Sequence, residues 1–392
     1  MTTTLWKTAA TVYAKEIVDA LRDRRTLLSV FLSSIAMGPL LMFVLSLVIS
    51  GIEERAEKRE LIVAAAERAP TLVNYLQRQT YTVKPAPADY EQRLRDGTLD
   101  EPVIVIPGGF EDGLARGEAP LVEVVVDSGS KTGGVGASRV ARLLRGFSSE
   151  RASLALALRG VAGAVLEPIE VEERDVASTR TRGAQFTAML PLFVVMAVLY
   201  GALNAALDST AGERERGSLE PLLMTPADHL AIVIGKCAAV ASVSVLVATL
   251  SCLSFIPAQW LLRSDTLQAM FQYGWAEAFR FIAVLVPFAA AAAAALMAVA
   301  IRCRTYKEAQ ANGQVVLLFV SLMPLITLVG NSVESAWHLW VPGLAQNVLM
   351  MRVLKGEPFG ATQLLVPLLV CTVLAAGGVW IVSRSLRQAA VK

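Results

Sequence analysis

One short segment concentrates charged side chains between two long apolar runs. It begins Glu213-Arg214-Glu215-Arg216-Gly217 and continues as far as Pro226. Alternating carboxylates and guanidinium groups are costly in hydrocarbon, so we interpret the segment as a water-exposed link between two membrane helices. Charged groups at this density suit a surface that contacts a partner protein. A solvated turn stabilised by its own Glu–Arg pairs is the alternative.

Other residues whose side chains could bind a metal, bind a phosphate or take part in catalysis do not form recognisable sites. The four cysteines lie in or beside apolar runs without metal-ligand spacing, and His229 and His338 fall on opposite predicted membrane faces. The segment 129–132 resembles the end of a phosphate-binding loop, but Ser130 occupies the position of the glycine that should precede Lys131. No serine, histidine and carboxylate arrangement supports nucleophilic catalysis. We therefore predict no catalytic, metal or ATP-hydrolysing site in this chain, and no nucleic-acid partner.

Composition places the chain in a bilayer. It is 54% hydrophobic and 18% charged, with a mean hydropathy of +0.52. A helix needs about 20 mostly apolar residues to cross the hydrocarbon, and lipid leaves no alternative partner for an open backbone. The predicted fold class is an α-helical integral membrane protein with six transmembrane helices. These helices cover residues 26–50, 184–207, 231–256, 278–301, 312–330 and 361–382.

The distribution of basic residues predicts the orientation. Positive charge accumulates on the cytoplasmic side of a membrane, and here it alternates between loops so that both termini are cytoplasmic. The apolar run 27–49 is longer than a signal-peptide core and is not followed by a cleavage site, so we interpret it as an anchor in the cell membrane. The basic residues on the cytoplasmic side are Arg22, Arg24, Arg25, Arg214, Arg216, Arg302, Arg304, Lys307, Arg384, Arg387 and Lys392.

Residues 1–25 are predicted to form a cytoplasmic amphipathic helix. Trp6, Ala10, Tyr13, Ile17 and Leu21 recur every three or four residues and form one apolar stripe. Such a helix suits the headgroup layer of a membrane, with its aromatic side facing the lipid. A cytoplasmic helix packed on the membrane bundle is the alternative.

Residues 51–183 are predicted to form an extracytoplasmic α/β domain, inserted between the first two spans. The apolar runs 103–106 and 121–126 are typical of strands, and they alternate with helical patterns at 88–95, 110–116 and 135–159. The segment is large enough for a core of its own. The third predicted region, 184–392, holds the remaining five spans and a link at 208–230.

Within that link the sequence predicts two short helices separated by breaks. A helical turn through residues 213–216 ends at Gly217, and Ser218 caps the next turn. Thr225 to Asp228 has the form of a capping box, with Pro226 at the first helical position of the third span.

The chain resembles the permeases of type-2 ABC transporters, and specifically the NatB-like branch with an external domain between spans one and two. The resemblance covers nearly the whole chain and rests on Lys15-Glu16, on Arg22 to Arg25, and on the link. In that family the link is the coupling helix that contacts a separate ATP-binding subunit. The resemblance implies that the contacting residues are Glu213, Arg214, Glu215, Arg216, Gly217, Leu219, Glu220, Leu223 and Pro226.

The resemblance also implies how such a protein works. Two permease copies, identical or related, and two cytoplasmic ATP-binding subunits form the transporter, and ATP with Mg²⁺ binds in the partner rather than in this chain. The permease performs no bond chemistry, and its substrate moves outward when the coupling helices move. Small residues, such as the alanines of 289–295 and Gly377-Gly378, permit close approach between the helices.

The sequence does not identify the substrate. No predicted span has an acidic or histidine side chain in its interior, although a path for Na⁺ or H⁺ normally displays one. The sodium export associated with NatB-like proteins is therefore one possibility beside an amphiphile, a lipid-linked molecule, a drug or a peptide. The polar candidates for a substrate path are Asn204, Asn312, Gln314 and Gln363.

Two other classes of function compete with a transporter. A membrane receptor would use the external domain to bind a ligand and the charged link to signal inward. An integral membrane enzyme would need paired polar groups near a membrane face, and the sequence presents none. The receptor needs no ATP-binding subunit, so a stable complex with ATPase activity separates it from the transporter.

Overall fold

The structure is a computed structural model of the chain. It describes all residues except 1, 23, 58, 100, 128–132, 163–164, 167–173, 175–177, 219–220, 222–223, 226, 263–267, 269–270, 272, 326–334 and 391–392. The chain divides into two compact units, one formed by Met1–Ser50 with Val176–Lys392 and the other by Gly51–Asp175. We call them the helical unit and the mixed unit.

Helices dominate the secondary structure. The described residues include four short strands, all in the mixed unit: β1 (Glu60–Ala64), β2 (Thr82–Pro85), β3 (Val103–Val105) and β4 (Glu123–Val125). The helices are α1 (Thr2–Arg22), α2 (Arg24–Glu57), α3 (Pro70–Arg78), α4 (Tyr90–Arg95), α5 (Phe110–Arg116), α6 (Gly133–Ala157), α7 (Thr179–Phe186), α8 (Met189–Leu207), α9 (His229–Ala258), α10 (Trp275–Ala300), α11 (Tyr306–Leu322), α12 (Leu344–Lys355) and α13 (Ala361–Ala390).

Four helical stretches are long and apolar enough to cross a membrane within the described part of the chain. They are Met189–Glu215, His229–Leu261, Trp275–Ala300 and Ala361–Gln388, and they contain the second, third, fourth and sixth predicted spans almost completely. The first predicted span lies in α2, where Ser34–Leu47 forms a shorter apolar stretch. Helix α11 contains the start of the fifth predicted span. Residues 326–330, at the end of that span, lie outside the described residues.

The core of the helical unit forms where α10 packs against α8, α9 and α13. Small side chains set the distance between α10 and α13. A Cβ atom added at Gly378 would lie 2.7 Å from the carbonyl carbon and Cβ of Ala294, whereas one at Gly377 would meet nothing within 4 Å. The predicted role of small residues in close helix approach therefore holds at Gly378 and Ala294, but not at Gly377.

Helix α1 packs on α9 through a different stripe from the predicted one. Ala9, Val12 and Glu16 are buried, and a Cβ atom added at Gly235 of α9 would lie 2.7 Å from the Ala9 carbonyl oxygen. The predicted apolar stripe, by contrast, lies mostly at the surface, with Trp6 and Leu21 both exposed. The helix thus packs on the bundle, as the alternative interpretation expected, and still leaves an apolar face that suits a lipid headgroup layer.

The mixed unit contains one four-stranded sheet, in the order β2-β1-β3-β4. Strand β1 runs parallel to β2 and β3, while β3 and β4 are antiparallel. Helices occupy the crossovers that parallel strands require, and their apolar faces cover a core that includes Leu61, Leu76, Ile104 and Phe147. Strands β3 and β4 and helices α4 to α6 fall in the segments predicted for them; β1, α3 and β2 were not predicted.

Substituting Gly378 by alanine should destabilise the helical unit. The new methyl group would overpack the α10–α13 contact at a cost of about 1–3 kcal/mol, which exceeds the gain of up to about 1 kcal/mol that alanine brings to a helix. The matched control is Gly377→Ala, where the methyl group has space and only the gain applies. Thermal unfolding of the detergent-purified proteins should give a lower Tm for the first variant only. Equal Tm values would contradict the close approach.

Candidate functional site

The charged link begins as a continuation of α8. One π-helical turn, Asp208–Gly212, leads into a last helical turn, Glu213–Glu215. The helix then ends at Gly217, whose φ of 69° lies in the left-handed region that favours glycine. The amide of Ser218 donates to the Glu213 carbonyl at 3.0 Å, and that of Gly217 to the Arg214 carbonyl at 3.1 Å. These two bonds form a Schellman motif, so the predicted break at Gly217 is confirmed.

The far end of the link differs from its prediction. Helix α9 begins at His229, and the side chain of Asp228 accepts a hydrogen bond from the Leu230 amide at 3.0 Å. Asp228 is therefore the N-cap, because its extended backbone (ψ of 124°) places the first free amides of α9 beside its own carboxylate. The predicted capping box headed by Thr225 is wrong, since the helix starts four residues after it. Pro226 lies outside the described residues.

Glu213 belongs to a cluster of four charged side chains that we call the charge ring: Lys15, Glu16, Glu213 and Lys236. The Lys236 ammonium lies 2.8 Å from Glu16 Oε1 and 2.7 Å from Glu213 Oε2. The Lys15 ammonium lies 3.0 Å from Glu16 Oε1 and 3.2 Å from Glu213 Oε1. Each cation thus bridges the same two carboxylates. The ring joins α1, the end of the α8 helix and α9.

Burial makes this ring energetically important. Lys236 is only 2% exposed, and Glu16 and Glu213 are each 7% exposed. Removing an ammonium or carboxylate from water costs several kcal/mol, which is recovered only when every charge is paired and hydrogen-bonded. The third hydrogen of Lys236 meets that condition by donating to the Ser209 carbonyl at 3.1 Å. With two cations and two carboxylates, the ring has no net charge.

Lys15 closes the ring on its solvent-accessible side. Desolvation lowers the pKa of this ammonium, but the hydrogen bond to Glu16 and the charge of Glu213 outweigh it and raise the pKa above its usual value. Lys15 therefore stays protonated at physiological pH and remains a cation of the ring. Its ammonium also lies 3.4 Å from the half-exposed Asp19 carboxylate, one helical turn further along α1.

The next two link residues bind a different neighbour. The Arg214 guanidinium donates to the carbonyls of Ile301 and Cys303, at 2.9 and 2.7 Å, where α10 ends. The Glu215 carboxylate accepts from the Tyr306 amide at 3.0 Å, where α11 begins. A cation at a helix C-terminus and an anion at a helix N-terminus both interact favourably with the backbone dipoles. Together these contacts fix the link on the turn between α10 and α11.

The link is exposed where its first helical turns end. Arg216, Gly217 and Ser218 are exposed, and the Arg216 guanidinium donates back to the Asp208 carbonyl at 3.2 Å. Among the predicted partner-contacting residues, Glu213 is buried and Arg214 is largely committed to carbonyls of this chain. Leu219, Glu220, Leu223 and Pro226 lie outside the described residues. The described surface available to a partner thus comprises Glu215 to Ser218 and, further along the link, the exposed residues Pro221, Met224, Thr225 and Asp228.

A cavity of about 470 Å³ lies beside the charge ring. Its walls combine the polar side chains of Lys15, Asp19, Asn204, Asp208 and Arg216 with apolar groups of α2, α8 and α9. A volume of this size is in the range of small-molecule sites. In the described part of the chain, no group of three or more histidine, cysteine, aspartate or glutamate side chains is placed to hold a metal ion.

The four predicted substrate-path residues do not converge. Asn204 lines the cavity. Asn312 donates to the Cys303 thiol at 3.3 Å, near the start of α11, and Gln314 is exposed on the same helix. Gln363 accepts from the Gly360 amide at 2.9 Å and so caps the start of α13. Only Asn204 therefore lies where a ligand could be enclosed.

Sequence reasoning named Glu16 only as part of the family resemblance and gave no role to Lys236, which stands seven positions inside α9. A lysine at that depth in an apolar helix is itself a signal, because such a residue requires a carboxylate partner. The sequence does not reveal which carboxylate, since Glu16 and Glu213 are 220 and 23 residues away in the chain.

Comparison with known proteins agrees with this architecture. Residues 24–384 match the sequence model of a family described as ABC-2 family transporter protein. The chain belongs to the ABC-2 transporter family. It is also 25% identical, over 362 residues, to the ABC transporter permease protein NatB of Bacillus subtilis (strain 168), a match that covers 90% of this chain and 91% of the relative. The ABC-2 protein is accordingly a membrane-embedded permease subunit.

Replacing Lys236 by methionine should strongly destabilise the helical unit. Breaking a buried ion pair costs about 3–5 kcal/mol, because the remaining carboxylates lose their compensation. Adding Glu16→Gln and Glu213→Gln removes those charges and should recover much of the loss. Thermal unfolding in detergent measures both effects.

The control for this prediction is Lys84→Met in the mixed unit. The Lys84 ammonium lies 2.7 Å from Glu60, the same separation as in the charge ring, but both side chains are substantially exposed. Loss of an exposed pair costs at most about 1 kcal/mol. Similar Tm shifts for Lys84→Met and Lys236→Met would show that burial gives the ring no special importance.

Proposed function

We propose that this ABC-2 permease is the membrane subunit of an ATP-driven exporter, and that its charged link receives movement from a separate cytoplasmic ATP-binding subunit. ATP and Mg²⁺ bind in that partner, and a second permease copy completes the translocation pathway. Six spans, with both termini in the cytosol and the mixed unit outside the cell membrane, complete the topology.

The form of the link is the observation that supports this proposal. A lever needs a rigid base and an accessible tip. The base is held by the charge ring on one side and by the α10–α11 turn on the other. The tip, Arg216 to Ser218, is exposed and basic. A push on this tip is transmitted to three of the four long apolar helices, because the base contacts α8, α9 and the end of α10.

Family membership disfavours the receptor alternative. A receptor would use the link to signal inward and would need no ATP-binding subunit, whereas a permease uses an anchored element of this kind to receive work from such a subunit. The cavity beside the ring supports a further part of the proposal, that cargo meets the permease near Asn204 and Asp208. Neither the family membership nor the presence of the cavity distinguishes sodium from an organic cargo.

Reversing the charge of Arg216 should weaken assembly with the ATP-binding subunit. Like charges brought together at an interface cost several kcal/mol, so we expect at least about tenfold weaker binding and a corresponding loss of ATPase activity. Co-purification and ATPase assays in lipid nanodiscs measure both. The control is Arg95→Glu in the mixed unit, whose side chain is 79% exposed. If Arg216→Glu keeps its Tm and still supports full assembly and turnover, the tip is not the docking surface.

Cysteine labelling should place the link and the mixed unit on opposite sides of the membrane. Ser218 and Thr98 are both exposed, so a cysteine at either position is open to reagent. A membrane-impermeant maleimide added to intact cells should label Thr98→Cys, while Ser218→Cys should react only after permeabilisation. The four native cysteines are buried and serve as the unlabelled background. Labelling of Ser218→Cys in intact cells would exclude a partner in the cytosol.

A further inference from the structure

We propose that the cavity beside the charge ring binds a small organic cation, a molecule with one positively charged head and an apolar body. This inference rests on the proposed function, in which cargo meets the permease at this cavity, and it adds the chemical class of that cargo. The cavity holds about 470 Å³, which is enough for a drug-sized molecule and far more than a single ion requires.

The walls of the cavity change from polar to apolar along its length. The Lys236 ammonium of α9 reaches the Ser209 carbonyl at 3.1 Å, beside the link. Further along α9, Val247 lies against α8, because a Cβ atom added at Gly201 would be 3.0 Å from one of its methyl groups. The chain rises about 10 Å between Gly201 and Asp208. The end of the cavity away from the link is apolar and is lined by Phe31, Gly201, Ala205, Ala239, Val240 and Val243.

The charges at the polar end favour a cation. The two cations and two carboxylates of the charge ring cancel, and each ammonium already contacts both carboxylates. Outside the ring, the cavity is lined by the carboxylates of Asp19 and Asp208 and by the exposed guanidinium of Arg216. These three groups leave one negative charge in excess. An anionic head would therefore be repelled by the two carboxylates, whereas a cationic head would be attracted.

Three side chains offer acceptors to such a head. A carboxylate has about four acceptor positions, so the contact of Asp19 with Lys15 leaves capacity for a further donor. Asp208 is half-buried, where a charge-assisted hydrogen bond is less weakened by water. Asn204 is also half-buried and stands on α8 between the polar and apolar ends, where its carboxamide oxygen can accept from an ammonium.

A metal cation would use only part of this cavity. The side chains around Val243 offer no oxygen ligands, so a hydrated Na⁺ gains nothing from contact with them. Among the described residues, no three histidine, cysteine, aspartate or glutamate side chains are grouped to hold a metal ion. An organic cation uses both ends, because its head lies among the carboxylates while its body removes apolar surface from water.

Two fluorescent probes of matched shape test this ligand class. Dansylcadaverine carries an ammonium at the end of its alkyl chain, and dansyl-aminohexanoic acid carries a carboxylate there. Dansyl fluorescence is titrated with the purified permease in nanodiscs of zwitterionic lipid, with empty nanodiscs as the blank. We expect the ammonium probe to bind at least about tenfold more tightly, the factor that one charge-assisted hydrogen bond supplies.

Two substitutions test the two ends of the cavity separately. Asp208→Asn should weaken binding of the ammonium probe about tenfold without weakening that of the carboxylate probe. Val243→Phe fills part of the apolar end and should weaken both. Asp19→Asn, which changes a half-exposed side chain, is a milder variant in case Asp208→Asn lowers the folded yield. The matched control is Asp96→Asn at an exposed position of the mixed unit, which should change neither affinity.

Equal affinities of the parent protein for the two probes would overturn the inference. Displacement of the ammonium probe by NaCl, but not by KCl at the same concentration, would also overturn it and would indicate a sodium site. The binding assay needs neither ATP nor the ATP-binding subunit, so its result does not depend on assembly. In the assembled complex, the ammonium probe should stimulate ATPase activity. Selective binding without stimulation would contradict the proposed function and leave the ligand class of the cavity established.

Discussion

The buried ammonium group of Lys236 is the constraint around which one end of the helical unit is arranged. An ammonium that is 2% exposed exists only where carboxylates compensate it, and its two carboxylates come from opposite parts of the chain. Helix α1, the end of the α8 helix and α9 must therefore meet at one point. Apolar packing alone tolerates small shifts between helices, whereas this requirement fixes three of them in register.

Helical geometry explains how one run of charges serves several neighbours. Successive residues of a helix point about 100° apart, so Glu213 faces the ring, Arg214 faces the end of α10 and Glu215 faces the start of α11. Between residues 213 and 216, all of which the structure describes, the alternation of acid and base thus does not form Glu–Arg pairs. Glu213, Arg214 and Glu215 each contact a group of opposite charge or a helix end with a complementary dipole. Gly217 and Ser218, which follow Arg216, are uncharged.

Features set by local sequence were predictable, and features set by distant pairing were not. Hydropathy located four long apolar helices to within a few residues, and Gly217 marked the end of a helix because few other residues adopt its backbone angles. The buried stripe of α1 could not be read from periodicity, because Ala9 and Val12 have smaller side chains than the exposed Trp6 and Leu21, and Glu16 is charged. Likewise the sequence did not identify Asp228 as the N-cap of α9, because threonine and aspartate both cap helices and the path of the chain decides where the helix begins.

The start of the link is held on several sides. The π turn, the Schellman motif and six charged or polar contacts to other elements all fall between Asp208 and Ser218. These contacts join the end of α8 to α1, α9 and the α10–α11 turn. Because several of the contacting charges are buried, a displacement of this segment alone would leave them uncompensated. The same contacts that fix the segment in place therefore make its position depend on three other parts of the bundle.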